Sequence, residues 1–372
     1  SDEAVTEISK ILNDNNVKKV VKSKSMVSEE IGLNNALEKQ GIETIETDLG
    51  EFIIQTSGEK PYHIVTPAMH KSKNDIAELF NKKFGTDKNA TAEELTDFVR
   101  KKLRKEFKNA GAGITGANFL ISDTGSVALT ENEGNGMMST AFPKIHIVIA
   151  GIEKVIPSIN DLHLLWPLLS TYGTGQKITV YNSIISGPKK DFEVDGPEKM
   201  FVVILDNKRS DIVNNSEIKK SLTCIKCGAC LNACPVYKNI GGHTYNVTYS
   251  GPIGAVISPY INGIKEYGHL SFACTLCGKC TEICPVKIPL TDLLLINRRE
   301  YIDNEYNSKS ENIINNIFKK IMLKVWPLDF FSINIKNIAM KLFFKKSWGS
   351  LRELPKVKEK SFRQQWRDKN KI

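Results

Sequence analysis

Along the first two hundred residues the apolar positions alternate between helical spacing and short continuous runs. Val5 to Leu12 returns at helical intervals and predicts a helix, while Val17 to Val21 is a run typical of a buried strand. Ser28 to Gln40 predicts a helix, with Ser28 as N-cap and Gly41 just beyond its end. Phe52-Ile53-Ile54 and Tyr62 to Val65 read as strands, and Ala92 to Lys108 as a long amphipathic helix. Phe119 to Thr130, Ile145 to Ala150 and Phe201 to Asp206 are strand-like. Strands alternating with helices predict an α/β domain with a largely parallel sheet over residues 1–210.

The pattern then changes. From 211 to 302 the chain is punctuated by cysteine, glycine and proline, with a helix expected at Asp292 to Tyr301. All eight cysteines lie here, in two copies of C-x-x-C-x-x-C-x-x-x-C-P: Cys224, Cys227, Cys230 and Cys234, then Cys274, Cys277, Cys280 and Cys284. This is the run of bacterial two-cluster ferredoxins, so two [4Fe–4S] clusters are expected. A cubane needs four thiolates, and three cysteines at two-residue gaps can wrap three irons. Gly228 and Gly278 permit the tight backbone this requires. In this pattern the cysteine before proline ligates the other cluster. That assigns Cys224, Cys227, Cys230 and Cys284 to cluster 1, and Cys274, Cys277, Cys280 and Cys234 to cluster 2. Zinc needs only four ligands per site and leaves the third cysteine and the C-P unexplained. Disulfides suit paired short repeats less well than metal does.

Composition adds little to the fold but something about surfaces. The 372 residues are 41% hydrophobic and 25% charged, ordinary for a globular protein. The acidic start, Ser1-Asp2-Glu3, lacks the apolar core of a signal peptide, and no run of about 18 apolar residues predicts a spanning helix. With thiolate clusters expected, this points to the cytoplasm. The net charge of +9 is concentrated in the last region, 303–372. Seven lysines from Phe318 to Gly349 face one acid, Asp329, with Trp326, Phe330, Phe331, Phe343, Phe344 and Trp348 interleaved. Two readings stand: a solvated helical face over a small core, or a docking surface for a redox partner or an anionic membrane. No nucleic-acid motif accompanies the charge.

Gly111-Ala-Gly-Ile-Thr-Gly116 matches G-x-G-x-x-G, but a helix is predicted before it and a strand after, the reverse of a dinucleotide site. His243 and His269 lie near the cysteines as either hydrogen-bond donors to sulfur or packing residues. Trp166, Trp326 and Tyr172 read as core or interface residues.

Several stretches resemble the iron–sulfur subunit of bacterial lactate-utilisation systems, the LutB/LldF type. They include Val21 to Glu30, Glu46 to Glu51, Gly113 to Asn118, Asp123 to Val127, Glu131 to Gly136 and Ser186 to Pro188. Cys224 to Val236, Gly241 to His243, Gly251 to Val256, Cys274 to Pro289 and Ser361 to Trp366 continue the likeness, which covers nearly the whole chain. The resemblance implies an N-terminal domain like the CoA-transferase and sugar-isomerase α/β proteins, an α-helical ferredoxin module and a short helical C-terminal region. It implies further helical sequence before Ser1 in relatives. It also implies a subunit, non-catalytic or co-catalytic, of a complex that oxidises L-lactate to pyruvate. Its partners would be two companion proteins and a respiratory electron acceptor. Alternatives are a subunit serving another dehydrogenase or disulfide reductase, or an acyl- or phosphate-binding transferase-like protein with structural clusters. In the α/β domain, Thr124, Ser126, Glu131 and Glu133 form a candidate ligand loop, with Lys22 or Lys24 pairing a substrate carboxylate.

Overall fold

The computed structural model describes residues 1–307, 309–324, 330, 332–349 and 353–370. A five-stranded sheet in the order β2-β1-β3-β6-β9 forms its centre, with β1 (Lys19–Lys22), β2 (Glu43–Glu46), β3 (Ala112–Gly116), β6 (Ile145–Gly151) and β9 (Lys199–Leu205) all parallel. Both faces are covered. Successive strand residues point to opposite sides, so Val20 packs with Leu12, Leu33, Leu37 and Ile147 on one face. Val21 packs with Phe52, Phe80, Leu95 and Val99 on the other. Residue patterns that are apolar on both faces, as in the seven buried residues of β6, are what a doubly covered parallel sheet demands.

A second sheet, β7-β4-β5-β8, is attached to the first: β4 (Phe119–Ile121), β5 (Ser126–Glu131), β7 (Val155–Ile156) and β8 (Tyr181–Ile185). β4 and β5 form a hairpin that turns at Gly125, φ 63°. The single strand-like stretch Phe119 to Thr130 is therefore two strands.

Three local expectations are corrected. Phe52-Ile53-Ile54 is not a strand but the middle of a helix, Leu49–Ser57, because Asp48 caps its start by accepting from the Glu51 N–H at 3.1 Å and Gly58 ends it in the left-handed region. Tyr62 to Val65 forms turns rather than a strand. The helix expected from Ser28 to Gln40 is two short helices, Met26–Glu30 and Leu33–Glu38, interrupted at Gly32 (φ 63°) and capped by Ser25 rather than Ser28. The Gly111–Gly116 segment is mostly β3 itself. Gly113 is there because the chain passes close: a Cβ would fall 1.7 Å from the Ser139 carbonyl oxygen.

The cysteine segments fold with the α/β part in one compact unit, Ser1–Tyr301. A buried ion network joins them. Arg209, 1% exposed, donates two hydrogen bonds to Glu30 at 2.8 Å and one to Glu153 at 2.6 Å, and the Tyr249 hydroxyl donates to Glu30 at 2.7 Å. Residues from Ile302 onward form a second unit, with helices Lys309–Met322, Ile333–Trp348 and Phe362–Asn370. The first of these exposes Ile313, Ile314, Ile317 and Phe318. Trp326, Asp329 and Phe331 lie outside the described residues. Among the described residues no helix is long and apolar enough to cross a membrane.

Candidate functional site

The two cysteine runs adopt the same local shape. Lys226 (φ 62°) and Gly228 (φ 79°) turn the first loop through the left-handed region, and Leu276 (φ 55°) and Gly278 (φ 81°) turn the second. Glycine alone accounts for only half of each turn. The turns aim backbone N–H groups at sulfur: Lys226 N–H at Cys224 Sγ (3.4 Å), and Leu276 N–H at Cys274 Sγ (3.3 Å). Cys234 Sγ accepts from Tyr237 N–H and Cys284 Sγ from Ile288 N–H, each at 3.4 Å. Such donors stabilise charge on sulfur. None of the eight cysteines is in a disulfide.

The short helices Ala229–Ala233 and Lys279–Ile283 pack together. Burial first, with the neighbouring Cys224 and Cys284 adding to it, pushes the Cys227 thiol up to about 11. Cys280 is raised by burial, then by Cys274 and Cys234. Cys284 thus stands beside the first run and Cys234 beside the second. A bound metal cation favours the thiolate form of such buried cysteines.

Cations grip both loops from behind. Arg298 donates to the carbonyls of Cys274 (2.7 Å) and Ser271 (2.8 Å). Lys154 donates to the Cys224 carbonyl at 3.3 Å. His243 and His269 spend ring nitrogens on the backbone carbonyls of Lys60 and Glu266, both at 2.8 Å. A different histidine, His63, stands against Gly228 of the first loop. Its Nδ1 accepts from Val65 N–H (3.1 Å) and Thr66 N–H (3.2 Å). Its proton is therefore on Nε2, which is buried with no hydrogen-bond partner among the described residues. Trp166 and Tyr172 pack beside Ile225 and Cys227.

A cavity of about 510 Å³ opens between the α/β part and the first cysteine loop. Its floor is Ser23, Lys24 and Ser25 after β1 and Ala117 and Asn118 after β3; its far wall includes Lys154, Ile225, Lys226 and Tyr249. β2 lies on one side of β1 and β3 on the other, so the cavity sits where the strand order reverses, at the carboxyl ends of the strands. Open α/β sheets bind ligands at that position.

The sequence-derived ligand loop is only partly assembled here. Lys24, Glu131 and Glu133 line the cavity; Thr124 and Ser126 do not. They sit at the opposite end of the β4–β5 hairpin, where Ser126 bonds Ser186 at 3.0 Å. A hairpin sends its turn and its open end in opposite directions, so neighbours in sequence separate. Lys22 is enclosed on the far side of its strand, 2.8 Å from Glu46 and 3.4 Å from Glu29, and cannot meet a ligand. Lys24 Nζ donates to the Val65 carbonyl at 2.7 Å and lies 3.8 Å from Asp48. Glu131 accepts from Gly136 N–H (2.6 Å) and Met137 N–H (2.8 Å), capping the helix Asn135–Ala141. Burial, with help from Asp48, pushes the Glu133 carboxyl up to about 7.

Comparison with known proteins settles the family. A model of the LUD domain matches residues 1–205, and a 4Fe-4S dicluster domain model matches residues 220–288. Lactate utilization protein B of Macrococcus caseolyticus is 48% identical over 309 residues, which cover 83% of this chain and 65% of that protein. Proteins of the same name from Bacillus cytotoxicus (42% identical) and Bacillus thuringiensis (41%) align with all of this chain and 80% of their own length. The chain belongs to the lactate utilization protein B family. It carries two [4Fe–4S] clusters, and its parallel-sheet α/β part is the LUD domain. The match spans just under two thirds of the Macrococcus relative. A solved DUF162 family protein from Deinococcus radiodurans covers 55% of this chain and 96% of its own at 12% identity and a TM-score of 0.24, too slight a likeness to argue from.

Lys154, Lys226, Arg298 and His63 were invisible as site residues in the sequence. Lysine and arginine are common, and no local spacing marks them. Only Lys226 carried a signal, its place between Cys224 and Cys227.

Proposed function

We propose that this chain is the electron-transfer subunit of an assembly that oxidises L-lactate to pyruvate and delivers the electrons toward a respiratory acceptor. The observation that carries the reading is the cavity, which places the carboxyl ends of β1 and β3 against the loop holding Cys224 and Cys227. The proposed ligand sets are Cys224, Cys227, Cys230 and Cys284 for the cluster at that wall, and Cys274, Cys277, Cys280 and Cys234 for the other. When bound, each cluster takes one electron, so the pair matches the two electrons that lactate loses.

The chain's own residues supply the rest. Oxidation also releases two protons, and Glu133, with its carboxyl held near neutrality on the cavity wall, is suited to accept one. The packed helices behind the first loop keep bulk water from Cys227 and Cys230, both buried. The partners are two companion proteins of the lactate system, and the basic C-terminal region is the surface for peripheral membrane contact.

The test is cluster reduction followed by EPR in the complex purified anaerobically with both companions. L-lactate is expected to reduce the clusters and D-lactate to leave them oxidised. Clusters in an intact complex that respond to dithionite but not to L-lactate would remove lactate oxidation from the reading.

A further inference from the structure

Away from the cavity, two histidines meet from distant parts of the chain. His70 lies in the turns that follow the helix Leu49–Ser57, and His243 in the loop after the first cysteine run. Glycine makes the meeting possible. A Cβ at Gly242 would fall 1.7 Å from the Tyr62 carbonyl oxygen, and one at Gly241 would run into the Tyr62 ring. The Tyr237 hydroxyl donates to the same Tyr62 carbonyl at 2.7 Å. Tyr62 in turn stacks on His70 with ring centres 4.8 Å apart, and it meets His243 edge-on at 5.2 Å. The two imidazoles are themselves 4.8 Å apart, centre to centre.

Hydrogen bonds fix which nitrogen of each ring is bare. His243 Nε2 lies 2.8 Å from the Lys60 carbonyl oxygen, which can only accept, so the ring proton is on Nε2. His70 Nε2 lies 2.7 Å from the Glu59 carboxylate and donates in the same way. Nδ1 is left over on both rings. His243 Nδ1 has no hydrogen bond among the described residues, and His70 Nδ1 is buried without one. A proton on His70 Nδ1 would have no acceptor, so that nitrogen keeps its lone pair. An imidazole held from behind by a carboxylate or a carbonyl, with its other nitrogen bare, is the form in which histidine binds metal. One donor atom from each of Glu59, His70 and His243 falls within 4.8 Å of the other two. Ligands at about 2.0–2.1 Å around tetrahedral zinc stand about 3.4 Å apart, so closing on an ion takes a shift of about an ångström.

We infer that His70 and His243, with the carboxylate of Glu59, form a binding site for one divalent transition-metal ion of the zinc class. The imidazoles are the ligands, and Glu59 fixes the His70 ring and supplies negative charge beside the ion. Imidazole nitrogen selects such ions over magnesium and calcium, which take oxygen. Lys71 is the chain's own competitor, since its ammonium holds the other Glu59 oxygen at 2.5 Å. His70 belongs to the LUD domain and His243 to the dicluster domain. A bound ion therefore clasps one to the other without drawing on any cysteine, and the site stands apart from the lactate reading.

The experiment is equilibrium dialysis of the anaerobically purified full chain, both clusters loaded, against zinc and separately against magnesium, with zinc, magnesium and iron counted per chain. One zinc ion per chain is expected beyond an unchanged iron content, and no magnesium. His70→Asn and His243→Asn should each weaken zinc binding about 10- to 100-fold, and Glu59→Gln about 10-fold. Lys71→Met should tighten it, because the competing ammonium is gone. The exposed control His163→Gln should match wild type. Zinc should also slow hydrogen exchange across residues 59–71 and 241–246, and the two histidine variants should lose that protection. No zinc beyond the iron, zinc held equally well by both histidine variants, or zinc taken up only as iron is lost would each overturn the site. If the histidine variants lose their clusters, Lys71→Met decides: zinc affinity unchanged from wild type would overturn the site as well.

Discussion

Lys22 shows how one residue's burial decides its role. Burial by itself would strip the proton from a lysine, but Glu46 and Glu29 more than compensate, and its pKa is raised. Asn34 supports Glu46 with a hydrogen bond of 2.6 Å. Glu51, a third carboxyl nearby, is pushed up to about 8, by burial first and then by Glu46. Lys22 therefore holds buried acids in place beneath the sheet. Lys22→Met removes the cation of this group and strands Glu46, 2% exposed, without it. A loss of about 3–5 kcal/mol is expected in denaturant unfolding, because breaking a buried pair strands its partner. Adding Glu46→Gln should recover part of it. A variant as stable as wild type would mean that the acids are already neutral.

At the scale of elements, close approach sets sharper limits than propensity. β3 runs beneath the helix Asn135–Ala141, and Gly113 admits the Ser139 carbonyl. Gly113→Ala should cost about 3 kcal/mol or more, since the atom it meets is backbone and cannot swing aside. Gly125→Asn, in the β4–β5 turn with nothing within 4 Å, should cost less than about 1 kcal/mol because asparagine accepts φ 63°. Thermal melts of the two variants compare them; equal shifts would mean that β3 and the helix can move apart. Such contacts also mark where the sequence stops being legible. The strands β1, β6 and β9 were readable because a doubly covered strand is a short apolar run. Phe52-Ile53-Ile54 has the same composition, yet Asp48 and Gly58 make it a helix, and short apolar runs do not tell the two apart. β3 was hidden because its glycines look like a loop. The cysteines were legible because their chemistry is local: three of each four proposed ligands lie within seven residues. The cavity was not, because Lys24, Lys154 and Lys226 are brought together only by the crossing of the sheet.

Across the whole of the first unit, the buried cores divide by what they need in order to exist. The cores on the two faces of the parallel sheet contain no cysteine. The core of the cysteine segments is built around Cys230, Cys234, Cys280 and Cys284 themselves, packed with Leu231, Val256, Leu293 and Leu294. Cys227 joins a third core that also holds Phe119 and Leu162 from the α/β part. Removing iron should therefore act unevenly. The sheet keeps all of its packing, whereas the cysteine segments lose the cations that tied eight converging thiols together. Hydrogen exchange read by mass spectrometry, with and without chelation of the iron, is the measurement. Protection is expected to collapse across Ala229–Ile240 and Gly251–Asp303 and to persist in β1, β3 and β6. The boundary should fall at the Arg209–Glu30–Tyr249 network, whose carboxylate and guanidinium stay paired when Tyr249 departs. Loss of protection in β3 and β6 in step with the cysteine segments would make the two parts one cooperative block. Protection retained everywhere would show that the cysteine core packs without metal. The expected outcome has a consequence for the cavity: its far wall, Ile225, Lys226 and Tyr249, belongs to the part that melts.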